Sequence, residues 1–308
     1  MPASGHGDIR DFGDRKYKVI GTRPKRHDAP DKVTGRAVFG GDVRLPGMLY
    51  GQILRSPHAH ARIRSIDTSK AAALAGVAAV VTGADLPTPA SADETVDLGE
   101  GPVCVKYLRD NILATDKVMY RGQAVAAVAA VNQQTAVEAL SLIAVDYEEL
   151  PAVVDILEAM KDDAPQLHDG LTTKVFGQDT GKQSNVASQV RQELGDVKAG
   201  FAQASTICET EVRTATVHQG YIEPHNATAQ WGVDDTLTVW TSTQGAFTAQ
   251  KNIAAVLGLS VGQVRVVPQE IGGGFGGKIP IYVDPTAALL SKKSGQAVKI
   301  IMTRADVF

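Results

Sequence analysis

The sequence predicts an α+β protein. Strand-like runs alternate with short helical ones, and hairpin-like turns join some neighbouring strands. A mixed polar stretch then separates two such regions, and 308 residues suffice for one large domain or two ordinary ones with a sizeable core. The expected organisation is an arm over 1–34, a first domain over 35–156, a linker region over 157–198 and a second domain over 199–308.

The arm is charged and proline-bearing and reads as extended. Beyond Gly35 the runs GMLYGQILRS and ARIRSID read as strands, and Asp67-Thr68-Ser69 can cap the alanine-rich KAAALA, which Gly76 ends. VAAVVTG returns as a strand. ADLPTPASADETVDLGEGP is rich in Pro, Asp and Ala and reads as a loop. YRGQAVAAVAAV follows as a buried strand or strand pair, Asn132 caps QQTAVEALSLIA, and VDYEELPAVVD is a strand with an extended exit. Past the linker, TICETEVRTATVHQ (206–219) alternates with period two and predicts a strand, as does LTVWTSTQ. Phe247, Gln250, Ala254 and Leu257 recur at helical spacing in GAFTAQKNIAAVLG, with Gly258 as terminator. VGQVRVV leads into a glycine loop, DPTAALLSKKSG reads as a short helix and AVKIIMTR as a last strand.

Composition excludes several classes. A net charge of −3 argues against a nucleic-acid surface and against a polybasic membrane patch. No apolar run approaches the roughly 20 residues of a membrane-spanning helix, and the polar start MPASGHGDIRDFGDRKYK lacks the core of a secretion signal. The two cysteines, Cys104 and Cys208, read as buried free thiols of a reducing, cytoplasmic compartment, and two thiols are too few to hold an iron–sulfur cluster.

The glycine loop, VRVVPQEIGGGFGGKIPIYVDP (264–285), admits three readings. Gly272, Gly277 and Lys278 have the spacing of a nucleotide-binding P-loop, but Ile279 stands where a hydroxyl should meet magnesium. Gly272, Gly274 and Gly277 have the spacing of a dinucleotide fingerprint, yet Pro280 follows where a helix must open. The third reading is a loop whose backbone N–H groups approach some other anion or oxo group. His58 and His60 lie on one face of a strand but find no further ligands at usable spacing. His218, Glu223 and His225 form another possible cluster, and Asp146, Glu148 and Glu149 pair carboxylates on a stretch expected to face solvent.

RSPHAHARIRSID, YRGQAVAAVAA, VDYEELPAVVD, HQGYIEPH, TSTQ and GGGFGGK occur in that order. Together they resemble the molybdopterin-binding large subunit of the xanthine dehydrogenase and aldehyde oxidase family. The resemblance implies an α/β hammerhead domain followed by the first of two domains that enclose the cofactor. It implies that Gln244, in TSTQ, approaches molybdenum and hydrogen-bonds an oxo ligand without coordinating the metal. Gly274, Phe275 and Gly276 are the implied cofactor contacts, with Phe275 and Ile279 in the substrate pocket. His218, Glu223 and His225 become structural, or support groups that themselves approach the metal.

Length departs from the pattern, because family large subunits continue well beyond this point. The general-base glutamate is expected on that remainder, so no catalytic residue is assigned to this chain. A subunit naturally split into two polypeptides is the favoured explanation over a fragment. The resemblance further implies the cytosine dinucleotide form of the molybdenum–molybdopterin cofactor. It also implies a partner chain with the second molybdopterin-binding domain, an iron–sulfur subunit with 2Fe–2S clusters, and an FAD subunit. The expected reaction is hydroxylation of an aldehyde or N-heterocycle carbon with oxygen from water. Purine-oxidising relatives carry glutamate directly after GGGFGGK; Ile279 here points to aldehydes or less polar rings. Two other classes stay open: a non-catalytic assembly or scaffold chain, and a nucleotide-binding enzyme.

Overall fold

The computed structural model describes residues 18–89, 91, 94–97 and 102–308. Chain contacts divide it at Val38 into two units. The described part of the first, residues 18–38, is not extended throughout: α1 (Ala29–Thr34) has proline in its first turn and Gly35 in the left-handed conformation at its end.

The second unit opens with β1 (Leu49–Arg55), β2 (Ala61–Asp67), α2 (Ser69–Ala73) and β3 (Val77–Thr82). Next come β4 (Thr95–Asp97), β5 (Pro102–Cys104), α3 (Val105–Ile112), β6 (Lys117–Val118), β7 (Ala124–Ala130), α4 (Gln133–Ser141) and β8 (Ala144–Glu149). The middle of the chain holds α5 (Ile156–Ala159), β9 (Thr172–Val175), β10 (Gln178–Gln183), β11 (Ser188–Gln189) and α6 (Val197–Gln203). Last are β12 (Asn226–Trp231), β13 (Leu237–Thr241), α7 (Ala246–Leu257), β14 (Val264–Pro268), α8 (Asp284–Ser294), β15 (Val298–Ile301) and α9 (Arg304–Val307).

A seven-stranded mixed sheet in the order β14-β13-β12-β15-β1-β7-β3 organises the unit. Its strands come from both expected domains, and the join is direct: β1 pairs with β15 in parallel, Leu49 opposite Val298. β7 is buried along its whole length between β1 and β3. Its small side chains let helices close on both faces. Ala127 and Ala129 belong to the main core with residues of α7 and α8, whereas Ala126 and Val128 pack with Ala71 of α2 and Ala139 of α4. That is the period-two alternation of a strand covered on both sides.

Local chemistry sets the helix ends. Asn132 Oδ1 accepts from Thr135 N–H at 2.8 Å, and Gly258 and Gly295 close α7 and α8 with φ of 63° and 70°. Several expectations are corrected. The strand predicted over 206–219 forms no ladder, while Asn226–Trp231, inside no predicted element, is a central strand. The proline- and alanine-rich stretch after β3 includes β4, which pairs antiparallel with β5 at its end. The polar stretch 157–198 holds its own three-stranded sheet, β10-β9-β11. The inward face of α7 is Ala249, Ile253 and Val256, whereas Phe247 is 81% exposed. Neither cysteine is buried as expected: Cys104 is half-buried at the end of β5, and Cys208 is exposed in the segment that forms no ladder. No helix among the described residues is long and apolar enough to cross a membrane.

Candidate functional site

Strands β13 and β14 run parallel with Thr241 opposite Pro268, so the turns that follow them leave the sheet at the same end. One turn carries Gln244 into α7; the other is the glycine loop. They meet through Gln244. Its backbone N–H donates to the Lys278 carbonyl at 3.0 Å. Its side-chain Oε1 accepts from Gly276 N–H at 2.9 Å and from Lys278 N–H at 3.2 Å. Two donors on one oxygen decide which way the amide faces: the carbonyl lies on the loop and the NH₂ points away from it. The residue is exposed, and among the described residues that NH₂ has no protein acceptor.

Glycine is required where the loop touches the amide. A Cβ on Gly274 would lie 2.5 Å from Gln244 Oε1 and 2.8 Å from its Cδ. Gly276 has φ of +94° with open space beside it. Phe275, between them, also takes a positive φ of 49°, a conformation that costs a side-chain-bearing residue about 1 kcal/mol. Its ring is 74% exposed, and Ile279 is 39% exposed beyond it. Thus Gln244, Gly274 and Gly276 are brought into contact, while Phe275 and Ile279 present apolar surface outward.

Under the loop lies a pair of charges that the sequence did not single out as partners. Lys278 Nζ meets Glu223 Oε2 at 2.6 Å, with side chains 0% and 12% exposed. The same oxygen accepts from Gly272 N–H at 2.7 Å, and Oε1 accepts from Asn226 Nδ2 at 3.1 Å. The ammonium also sits 5.2 Å from the centre of the Tyr221 ring. Burial lowers the Lys278 pKa, and the Glu223 carboxylate opposes that shift. A fully buried ammonium held by a carboxylate is not offered to a phosphate, so the P-loop reading fails on geometry. The dinucleotide reading fails too, because α8 begins only at Asp284. A lone lysine and a lone glutamate in otherwise apolar or glycine-rich runs were the available signal for this pair.

His225 is buried beside them, its Nε2 2.6 Å from the Tyr221 hydroxyl. Burial first, then the Lys278 charge, lowers its pKa from 6.5 to about 4. The unfolded chain therefore binds the extra proton between these values. Stability from this group is complete above pH 6.5 and is lost as pH falls towards 4. Between pH 7 and pH 4 the wild type should lose roughly 3 kcal/mol more than His225→Gln, in urea unfolding at the two pH values. Equal pH dependence in both proteins would refute this.

Glu223 binds Lys278, His225 meets Tyr221 and His218 Nδ1 accepts from Gly220 N–H at 3.0 Å, so each member of the 218–225 cluster has a partner within the protein. Among the described residues no group of His, Cys, Asp or Glu is arranged to hold a metal ion. His58 and His60 lie in the connection between β1 and β2, not on a strand as expected. His58 approaches Glu149 at 3.3 Å and His60 Nδ1 meets the Pro151 carbonyl at 2.8 Å. Asp146 and Glu149 are exposed.

Residues 34–151 match the model of the aldehyde oxidase and xanthine dehydrogenase a/b hammerhead domain, and residues 178–308 that of the molybdopterin cofactor-binding domain. The chain is 35% identical over 280 residues to the carbon monoxide dehydrogenase large chain of Afipia carboxidovorans, covering 90% of this chain and 34% of that one. It is 32% identical over 292 residues to the nicotinate dehydrogenase large molybdopterin subunit of Eubacterium barkeri, covering 95% and 63% respectively. Among solved structures, reconstituted CO dehydrogenase from Oligotropha carboxidovorans superposes with a TM-score of 0.77 at 33% identity, over 93% of this chain and 35% of that one. The chain thus spans about a third of the length of two of these proteins and less than two thirds of the other.

Proposed function

The chain belongs to the aldehyde oxidase and xanthine dehydrogenase family, and we propose that it forms part of the molybdenum-cofactor subunit of a molybdenum hydroxylase. Residues 35–156 act as the hammerhead and 199–308 as the first cofactor domain, with 1–34 as an arm and 157–198 as the connecting region. The observation that carries the reading is the orientation of Gln244. Its carbonyl is occupied by Gly276 and Lys278, which leaves a neutral NH₂ donor facing outward beside exposed Gly276, with Gly274 buried behind it. Such a donor set fits oxo and phosphate oxygens without adding charge.

When bound, a molybdenum–molybdopterin cofactor in its cytosine dinucleotide form supplies the redox centre at which a substrate carbon is hydroxylated with oxygen from water. Gln244 would hold an oxo group, with Gly274, Phe275 and Gly276 along the cofactor. Phe275 and Ile279 would give the substrate an apolar wall. The general base is not among the site residues assigned to this chain. A chain with the second molybdopterin-binding domain, an iron–sulfur subunit and an FAD subunit complete the enzyme, which works in the cytoplasm.

Ile279 can neither donate nor accept a side-chain hydrogen bond. A purine edge left unpaired against it costs about 1 to 3 kcal/mol, or roughly 5- to 150-fold in affinity. The complex purified through a tag on this chain should contain molybdenum and oxidise benzaldehyde with a higher kcat/KM than xanthine in a dye-linked assay. A complex without molybdenum overturns the functional reading. A clear preference for xanthine overturns the role given to Ile279.

A further inference from the structure

Between α6 and β12 the chain runs exposed from Ser205 to Val217. Among the described residues, none of its N–H or C=O groups bonds another backbone group. Its composition is that of a strand. Ile207, Val212 and Val217 stand among four threonines, and the segment contains no Gly, Pro, Asn or Asp. The three aliphatic side chains are 60%, 78% and 82% exposed. A connection this long without structure of its own is uncommon inside a compact domain. A β-forming segment with a free backbone is, in contrast, a template for another strand.

The chain's own sheet leaves the segment unused, although β14 and β3 are its outer strands. What the segment does adjoin is the glycine loop. It continues into His218, Gln219, Gly220 and Tyr221, and a Cβ on Gly277 would lie 2.7 Å from Tyr221 Cε1 and 3.2 Å from Gln219 Cδ. The Val217 end of the segment therefore lies nearest the candidate cofactor site. The span matched here is 34% of the carbon monoxide dehydrogenase large chain, so relatives carry much further polypeptide that could pair with it.

We propose that Thr206–Val217 is a strand that pairs, backbone to backbone, with a sheet of the second molybdopterin-binding domain, an assignment that rests on the function proposed above. Pairing supplies the hydrogen bonds the segment lacks. It also fixes the second domain against the loop that carries Gly274 and Gly276, so the two walls of the cofactor cleft are set by one ladder.

Hydrogen exchange on the complex purified through a tag on this chain tests the pairing. Amides of 206–217 should exchange at least about 100-fold more slowly than unstructured amides. One-sided antiparallel pairing protects alternate residues. Free exchange along the whole segment, in a complex that contains molybdenum, overturns the proposal and leaves the functional reading standing. A complex without molybdenum overturns both. A photo-crosslinker in place of Thr210 should join the second cofactor domain; a product with another copy of this chain overturns the assignment of partner. Val212→Pro and Arg213→Pro each remove an N–H but no backbone bond within the chain, and with alternate residues paired one of the two must take a donor from the ladder. The variant at the paired position should lower recovery of the second domain about tenfold, and unchanged recovery in both counts against the proposal.

Discussion

Glu223→Ala is expected to destabilise the protein by about 3 to 5 kcal/mol, the cost of leaving one member of a buried ion pair uncompensated. Lys278 cannot escape to water, because its side chain is fully buried and Glu223 is its only carboxylate partner among the described residues. Removing that carboxylate also strands the Gly272 N–H and the Asn226 amide, which both donate to it. For a unit of this size the melting temperature should fall by roughly 10 °C. A double variant, Glu223→Leu with Lys278→Met, removes both charges at similar volume and should recover at least half of the loss. Differential scanning calorimetry of the two proteins decides. If single and double variants melt together, the buried charge is not what the carboxylate compensates.

Gln244→Ala should lower turnover of the assembled enzyme about 10- to 100-fold, the usual loss when a group orienting a metal's ligands is removed. Alanine alone cannot say why, since it also takes an acceptor from Gly276 and Lys278. Gln244→Glu separates the two effects. The carboxylate keeps the oxygen on which both N–H groups end, and replaces only the outward NH₂. If that donor matters, Gln244→Glu loses as much activity as alanine while melting within about 1 °C of wild type. Wild-type rate and molybdenum content in the glutamate variant would reduce Gln244 to a turn residue.

What could be read from the sequence was what is decided locally. Asn132, Gly258 and Gly295 mark helix ends through their own side chains or their own φ, so no distant information is needed. The run AVAAVAA likewise announces a strand buried on both faces. Long-range pairing leaves no such trace. Nothing near Leu49 says that Val298 lies opposite, and β12 hides behind Pro224 in a run, NATAQW, with little strand character. Helix α3 was missed because its first residue follows Cys104, whose side chain makes no cap, and because its buried face includes Arg109. At the site, the motif located Gln244 and the glycines. It could not show that the lysine reached inward to Glu223, since spacing alone fits a phosphate-facing lysine equally well. Segment 206–219 failed for the opposite reason: its local preference is for a strand, and the partner that would realise it is not within the described residues.

The position of β15 in the middle of the sheet governs how the protein must be made. Val298–Ile301 bridges β1 and β12, so the two sides of the sheet cannot join until residue 301 has left the ribosome. At about 5 to 20 residues per second, strands β1, β7 and β3 wait tens of seconds with the β1 edge unpaired. That interval is when a nascent chain of this type is most exposed to aggregation. Slower translation lengthens it, and the yield of soluble protein should then depend on whatever holdase covers β1 during synthesis.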